Sequence, residues 1–190
     1  MSETPKAGGR ASKGSTLGGP TVQKIPEGDD RPRLVCPDCG YIEYENPRII
    51  VGSVSAWRDR ILLCRRAIDP RRGFWTLPAG YLELNESTQE GAIREAWEEA
   101  GARIEIDRLL AVYNIARISQ VQLIYRARLT SPDIAPGRES QEVALFAWDD
   151  IPWGDIAFPS VHWALRHHDE LSHETSFSPP SNPPGETGDY

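Results

Sequence analysis

Five charged residues, Glu86, Arg94, Glu95, Glu98 and Glu99, fall within one short stretch bounded by Gly80 and Gly101. If 86–101 is helical, at about 100° per residue, Glu95, Glu98 and Glu99 share one flank. Three carboxylates side by side repel, and a merely solvated helix face would gain more from Lys at the i+4 positions. A hard divalent cation removes the conflict. Carboxylate oxygens suit Mg²⁺ or Mn²⁺, and these ions neutralise phosphate oxygens during displacement at phosphorus. Taken alone, the cluster reads more readily as an acidic, solvated face.

The elements around it are legible. Ser87 and Glu90 have capping-box spacing, apolar residues recur at Ala92, Ile93, Ala96, Trp97 and Ala100, and Gly101 stands where a C-cap belongs. This predicts a helix ending at Gly101. Upstream, 48–57 and 60–66 are β-branched or aliphatic runs separated by Arg58-Asp59, the pattern of a hairpin. The segment 121–129 alternates apolar and polar residues and predicts a half-buried strand. Further strands are expected over 109–114 and 143–148, and a terminal helix over 159–170. Periodicity alone supports an α/β or α+β protein.

Gly80, five residues, Glu86, seven residues and then Arg94-Glu95-Ala96-Trp97-Glu98-Glu99-Ala100-Gly101-Ala102 is similar to the Nudix box at every charged and Gly position. Only Ala102 replaces a larger aliphatic residue. From average residue frequencies, so many fixed identities arise by chance on the order of once in a million chains. Phe74 to Gly80 looks like the strand and turn that precede the box, and the resemblance covers about 48–170. It implies a metal-dependent hydrolase with an α/β/α sandwich around a mixed sheet. It makes Glu95, Glu98 and Glu99 the metal ligands, aided by the carbonyl of Ala79, with Glu98 and Glu99 catalytic. Arg94 is expected to orient a box carboxylate, Glu86 to brace the loop, and Gly80 and Gly101 to shape the backbone. The water-activating base in many Nudix enzymes is a Glu outside the box, here Glu139 or Glu142.

Further upstream, Lys24 to Asp30, Cys36-Pro37-Asp38-Cys39-Gly40 and Tyr44 to Arg48 resemble a Nudix branch with an N-terminal zinc ribbon. That branch includes bacterial proteins and plant chloroplast pyrophosphatases acting on FAD and ADP-ribose. A structural zinc wants four ligands, usually two Cys-x-x-Cys pairs, and the first pair is replaced by Gly and Ser between Ala7 and Val22. Cys36 and Cys39 therefore form a degenerate ribbon that either completes a zinc site across a dimer or holds no metal; the second is the expectation, and zinc is left out of the expected cofactors. The expected substrate is a nucleoside diphosphate derivative of FAD or ADP-ribose type, cleaved to AMP and a second monophosphate. A housecleaning triphosphate pyrophosphatase and a non-catalytic ADP-ribose sensor are the alternatives.

A net charge of −7 argues against a surface selected for nucleic acid or anionic membrane. Three cysteines are too few and oddly numbered for a disulfide framework, and no stretch approaches the roughly 20 apolar residues of a membrane span. The reading is a cytoplasmic protein, with the homodimer implied by the resemblance. It divides into a disordered tail (1–22), a vestigial ribbon (23–47), a Nudix domain (48–172) and a second disordered tail (173–190).

Overall fold

The computed structural model describes residues 18–188, which fall into two compact units divided between Asn46 and Pro47. The expected tail over 1–17 lies outside the described residues.

In the first unit, β1 (Val22–Lys24), β2 (Arg33–Val35) and β3 (Ile42–Glu43) form a three-stranded antiparallel sheet in that order. Val22, assigned above to a disordered tail, instead pairs with Val35. Asp29 accepts from Arg33 Nε at 2.9 Å and ties the two strands' connection. The Cys36–Gly40 turn is a tight knuckle: Gly40 N donates to Cys36 O at 2.9 Å, and Gly40 takes a positive φ of 76°.

The second unit carries a mixed sheet in the order β10-β5-β4-β9-β8. Its strands are β4 (Arg48–Trp57), β5 (Arg60–Arg66), β8 (Ile104–Ile115), β9 (Gln120–Leu129) and β10 (Ser140–Ala147). Two short strands, β6 (Trp75–Thr76) and β7 (Ala79–Tyr81), pair with β5 and β4. Only β4 and β9 run parallel; every other pair is antiparallel. The expected hairpin forms through Arg58-Asp59, with Trp57 opposite Arg60.

One helix covers each face. On one side, Ala92, Ala96 and Ala100 of α1 (Thr88–Ala100) pack on Val51, Leu62, Ala127 and Tyr125. On the other, Val161, Trp163 and Leu165 of α2 (Pro159–Glu170) pack on Val54, Leu63, Leu110 and Ile124. Small alanines let α1 lie close to the sheet. Leu62, Leu63 and Leu165 are fully buried, each contributing about 1.5–3 kcal/mol. This is the α/β/α sandwich expected from the resemblance.

Helix α1 begins with Ser87 as N-cap in a complete capping box and ends on Gly101 at φ 57°, a left-handed conformation that glycine adopts without strain. Strand β9 departs from expectation: Ile124 and Tyr125 are both buried on opposite faces. Ile124 packs in the cluster with α2 and Tyr125 in the cluster with Ala92 of α1, so both faces of the strand are covered.

The second expected tail, 173–190, is also not free. Through residue 188 it runs along β8: Val112 N donates to Pro180 O, and Asn182 bonds both the N–H and the C=O of Asn114. Phe177 sits between the guanidiniums of Arg108 and Arg126. Single polar and aromatic anchors hold this segment, with no apolar period for a sequence reading to detect.

Candidate active site

A cavity of about 780 Å³ opens where β7, the C-terminal half of α1, β9 and the 134–140 loop meet. Its lining includes Glu95, Glu98, Glu99 and Glu139 with Arg66 and Arg138, and also the aliphatic Ile115, Ile118, Ile124 and Val161 with Arg117, Gln120 and Gln122.

Arg94 organises the carboxylates. Its Nε and Nη2 donate to the two oxygens of Glu86 at 3.0 and 2.8 Å, a bidentate pairing. Its Nη1 donates to Glu95 at 2.7 Å and to Glu98 at 3.1 Å, and Nη2 also reaches Tyr81 O. Glu86 in turn accepts from Glu83 N at 2.7 Å and so fixes the turn leading into α1. The Arg94 guanidinium, together with this amide, holds the Glu86 carboxyl down at about 2.

Glu99 is placed differently. It is only 7% exposed and accepts a single amide bond, from Ala79 N at 3.2 Å. Burial, then the charge of Glu95, pushes its carboxyl up to about 8. Burial likewise raises Glu95, against the pull of Arg94. Among the described residues no three acidic, histidine or cysteine side chains converge into a finished metal cage; Glu95 and Glu98 lean on Arg94 instead. The donor set nevertheless fits a hard cation. It is all oxygen and clustered, and Glu99 is buried without a hydrogen-bonded cationic partner.

Backbone proximity makes this geometry possible. A Cβ on Gly80 would stand 2.4 Å from Glu95 Oε1, so glycine here lets the β7 backbone lie against that carboxylate without pushing it from its place beside Arg94. The 134–140 loop is fastened to the end of α1, where Ala135 N donates to Ala100 O at 2.8 Å and Gly137 N to Glu99 O at 3.0 Å. These bonds satisfy carbonyls that the helix terminus leaves unpaired. A Cβ on Gly137 would sit 1.6 Å from Glu98 O. Arg138 and Glu139 follow directly and face the cavity.

Of the two expected bases, only Glu139 lines the cavity. Glu142 is on β10 and pairs with Arg65 on β5 at 3.5 Å; a register shift between Ser140 and Glu142 accompanies the change. Adjacent strand residues point to opposite faces, so Arg66 lines the cavity while Arg65 does not. Arg66 lies 5.1 Å from the Phe158 ring, which a bond from Ala157 N to Trp75 O seats at the rim. Arg138, the two glutamines and Phe158 carry no local mark in the sequence, because separate loops and strands bring them together.

In the first unit, the Cys36 sulfur is held below the usual thiol range by the amides of Cys39 and Asp38. Such a knuckle offers two sulfur ligands, half of a structural zinc site, and no described residue completes it. Cys64 is buried in β5, where burial pushes its thiol well up, and it belongs to the core.

The family profile described as NUDIX domain matches residues 46–164. The chain belongs to the Nudix hydrolase family. A second profile, Nudix N-terminal, a zinc ribbon, matches residues 18–45. A Nudix hydrolase structure from Nitrosomonas europaea superposes with a TM-score of 0.80 at 48% identity, over 85% of this chain and 93% of that one. A MutT-like protein of Streptomyces ambofaciens is 37% identical over 52% of this chain and 60% of its own length. An ADP-ribose pyrophosphatase of Methanocaldococcus jannaschii is 26% identical, over 59% of this chain and 69% of that protein. A NAD-capped RNA hydrolase of Chromobacterium violaceum is 29% identical, over 70% and 50%. This Nudix chain thus spans half to two thirds of the length of these three relatives.

Proposed function

We propose that the protein hydrolyses the diphosphate linkage of a nucleoside diphosphate derivative of FAD or ADP-ribose type, giving AMP and a second monophosphate. The observation that carries this reading is the mixed lining of the cavity: its acidic and arginine side chains suit a diphosphate with its cations, and its aliphatic side chains with two amides suit an uncharged ring or sugar. The relation to an ADP-ribose pyrophosphatase supports the same class.

Glu95, Glu98, Glu99 and the Ala79 carbonyl would hold Mg²⁺ or Mn²⁺. When bound, such an ion neutralises phosphate charge and favours displacement at phosphorus. Arg94 keeps Glu95 and Glu98 in place and is itself anchored on Glu86. Arg66 and Arg138 line the same cavity and would contact phosphate oxygens. Glu139 would take the proton of the attacking water as its oxygen bonds to one phosphorus and the bridging P–O bond breaks.

The partner is a small nucleotide rather than RNA or membrane, which the net charge of −7 supports. Among the described residues no helix is long and apolar enough to cross a membrane. A cytoplasmic homodimer is the arrangement we propose for it. Product identification on FAD, ADP-ribose, NADH and a nucleoside triphosphate panel, each with Mg²⁺ or Mn²⁺, tests the function. AMP from FAD or ADP-ribose is expected. Pyrophosphate from triphosphates alone, or binding without turnover, would refute it.

A further inference from the structure

Part of the cavity lining comes from a segment that belongs neither to the sheet nor to a helix. After α2 the chain turns back along the free edge of β8. Arg108 donates to Thr175 O, and Arg126 donates to Leu171 O and Glu174 O, which steers the turn. Pro180 and Asn182 then bond β8. Glu186 accepts from the indole N–H of Trp163 on α2 at 3.0 Å. Two residues later Gly188 is buried and lines the cavity together with Ile115. The packing there is tight: a Cβ on Gly188 would lie 2.5 Å from Ile115 Cδ1 and 3.4 Å from Trp163, at a φ of 82°.

We propose that the segment 178–188 is a wall of the substrate site that sets the size of the group accepted opposite the AMP half, so that it determines specificity without touching the reacting atoms. The inference rests on the dinucleotide reading above. Its physical basis is that different elements supply different parts of the lining. The carboxylates come from α1 and the 134–140 loop, which a displaced tail would leave alone. Gly188 meets Ile115 of β8 in the lining, and its segment is tied to β8 and α2 by the bonds of Asn182, Glu186 and Pro180. An undocked wall opens the cavity beside Ile115, admitting a bulky ring more readily while loosening the grip on a small sugar phosphate.

The test compares kcat and KM for ADP-ribose and FAD in the full chain and in Asn182→Ala/Glu186→Ala, whose side chains lie outside the cavity lining. Hydrogen exchange at the Val112 and Asn114 amides monitors undocking. A chain ended after Phe177 gives the same comparison independently of how far the double variant undocks. The expected result is faster exchange and a ratio of kcat/KM for FAD over ADP-ribose raised about tenfold, carried by a higher KM for ADP-ribose with kcat retained. An unchanged ratio in a folded, undocked protein, or an equal loss on both substrates, would overturn the inference. If the unaltered protein cleaves only triphosphates, the dinucleotide reading fails by itself. The wall is then judged by the ratio between purine and pyrimidine triphosphates, which must shift in the same variants.

Discussion

Gly137→Ala probes how the loop is held to α1. In the present backbone its new Cβ would lie 1.6 Å from Glu98 O and 3.2 Å from Glu99 Cα, whereas ordinary contact begins at 3.4 Å. The loop must therefore recede by about 1.8 Å, which breaks the Gly137 N to Glu99 O bond. Overpacking of this kind costs about 1–3 kcal/mol and a lost hydrogen bond about 1 kcal/mol. For a domain of this size that lowers Tm by roughly 5–15 °C. The effect on turnover is separate. Glu139 follows the hinge by two residues, and a shift beyond about 1 Å in a positioned group lowers the rate on the order of 100-fold. Steady-state AMP release at 20 °C, where circular dichroism shows the variant folded, should give a kcat lower by about that factor with a smaller change in KM. Combining it with Glu139→Gln should add little further loss, since both act on one group. Wild-type turnover by Gly137→Ala, or full multiplication of the two defects, would refute the assignment of Glu139 through this loop.

Three other outcomes are expected. Without added metal, Glu99 with its carboxyl raised to about 8 favours the fold below the ordinary carboxylate range, and this contribution is lost as pH rises through about 8; Glu99→Gln should flatten that decline in thermal melts and abolish the stabilisation produced by Mg²⁺. Arg94→Lys cannot reproduce the fork that spans Glu86, Glu95 and Glu98, and a loss of about 10–100-fold in metal affinity or kcat should follow in a metal titration. Burial, then Arg126, depresses the His168 imidazole, whose Nδ1 has no hydrogen-bond partner among the described residues. Stability should therefore fall as pH drops below the unfolded value of about 6.5, and an unaltered acid limb in His168→Gln would contradict this.

The parts of the protein legible from sequence are those specified locally. Ser87, Glu90 and Gly101 cap α1 by contacts within a few residues, and the same helix carries its carboxylates on one flank. The parts that were not legible depend on distant partners. Glu139 and Glu142 are indistinguishable in a charged loop until the register shift at Ser140 directs one to the cavity and the other to Arg65. Strand β9 looked one-sided because Gln122, Arg126 and Arg128 dominate the alternation, while Ile124 alone marks its second buried face. The Pro- and Ser-rich end looked like a solvated coil because its order comes from isolated anchors, above all the amide of Asn182.

Those anchors have a consequence for the chain's behaviour among its copies. Strand β8 is twelve residues long and stands at the margin of the sheet, where outward amides are a template on which another polypeptide can build. Pro180 and Asn182 consume the amides of Val112 and Asn114 with a strand substitute that cannot itself propagate, since Pro179, Pro180, Pro183 and Pro184 offer no N–H to a further neighbour. The terminal segment is thus a self-supplied guard against edge-to-edge association at β8, and its removal exposes that margin of the sheet.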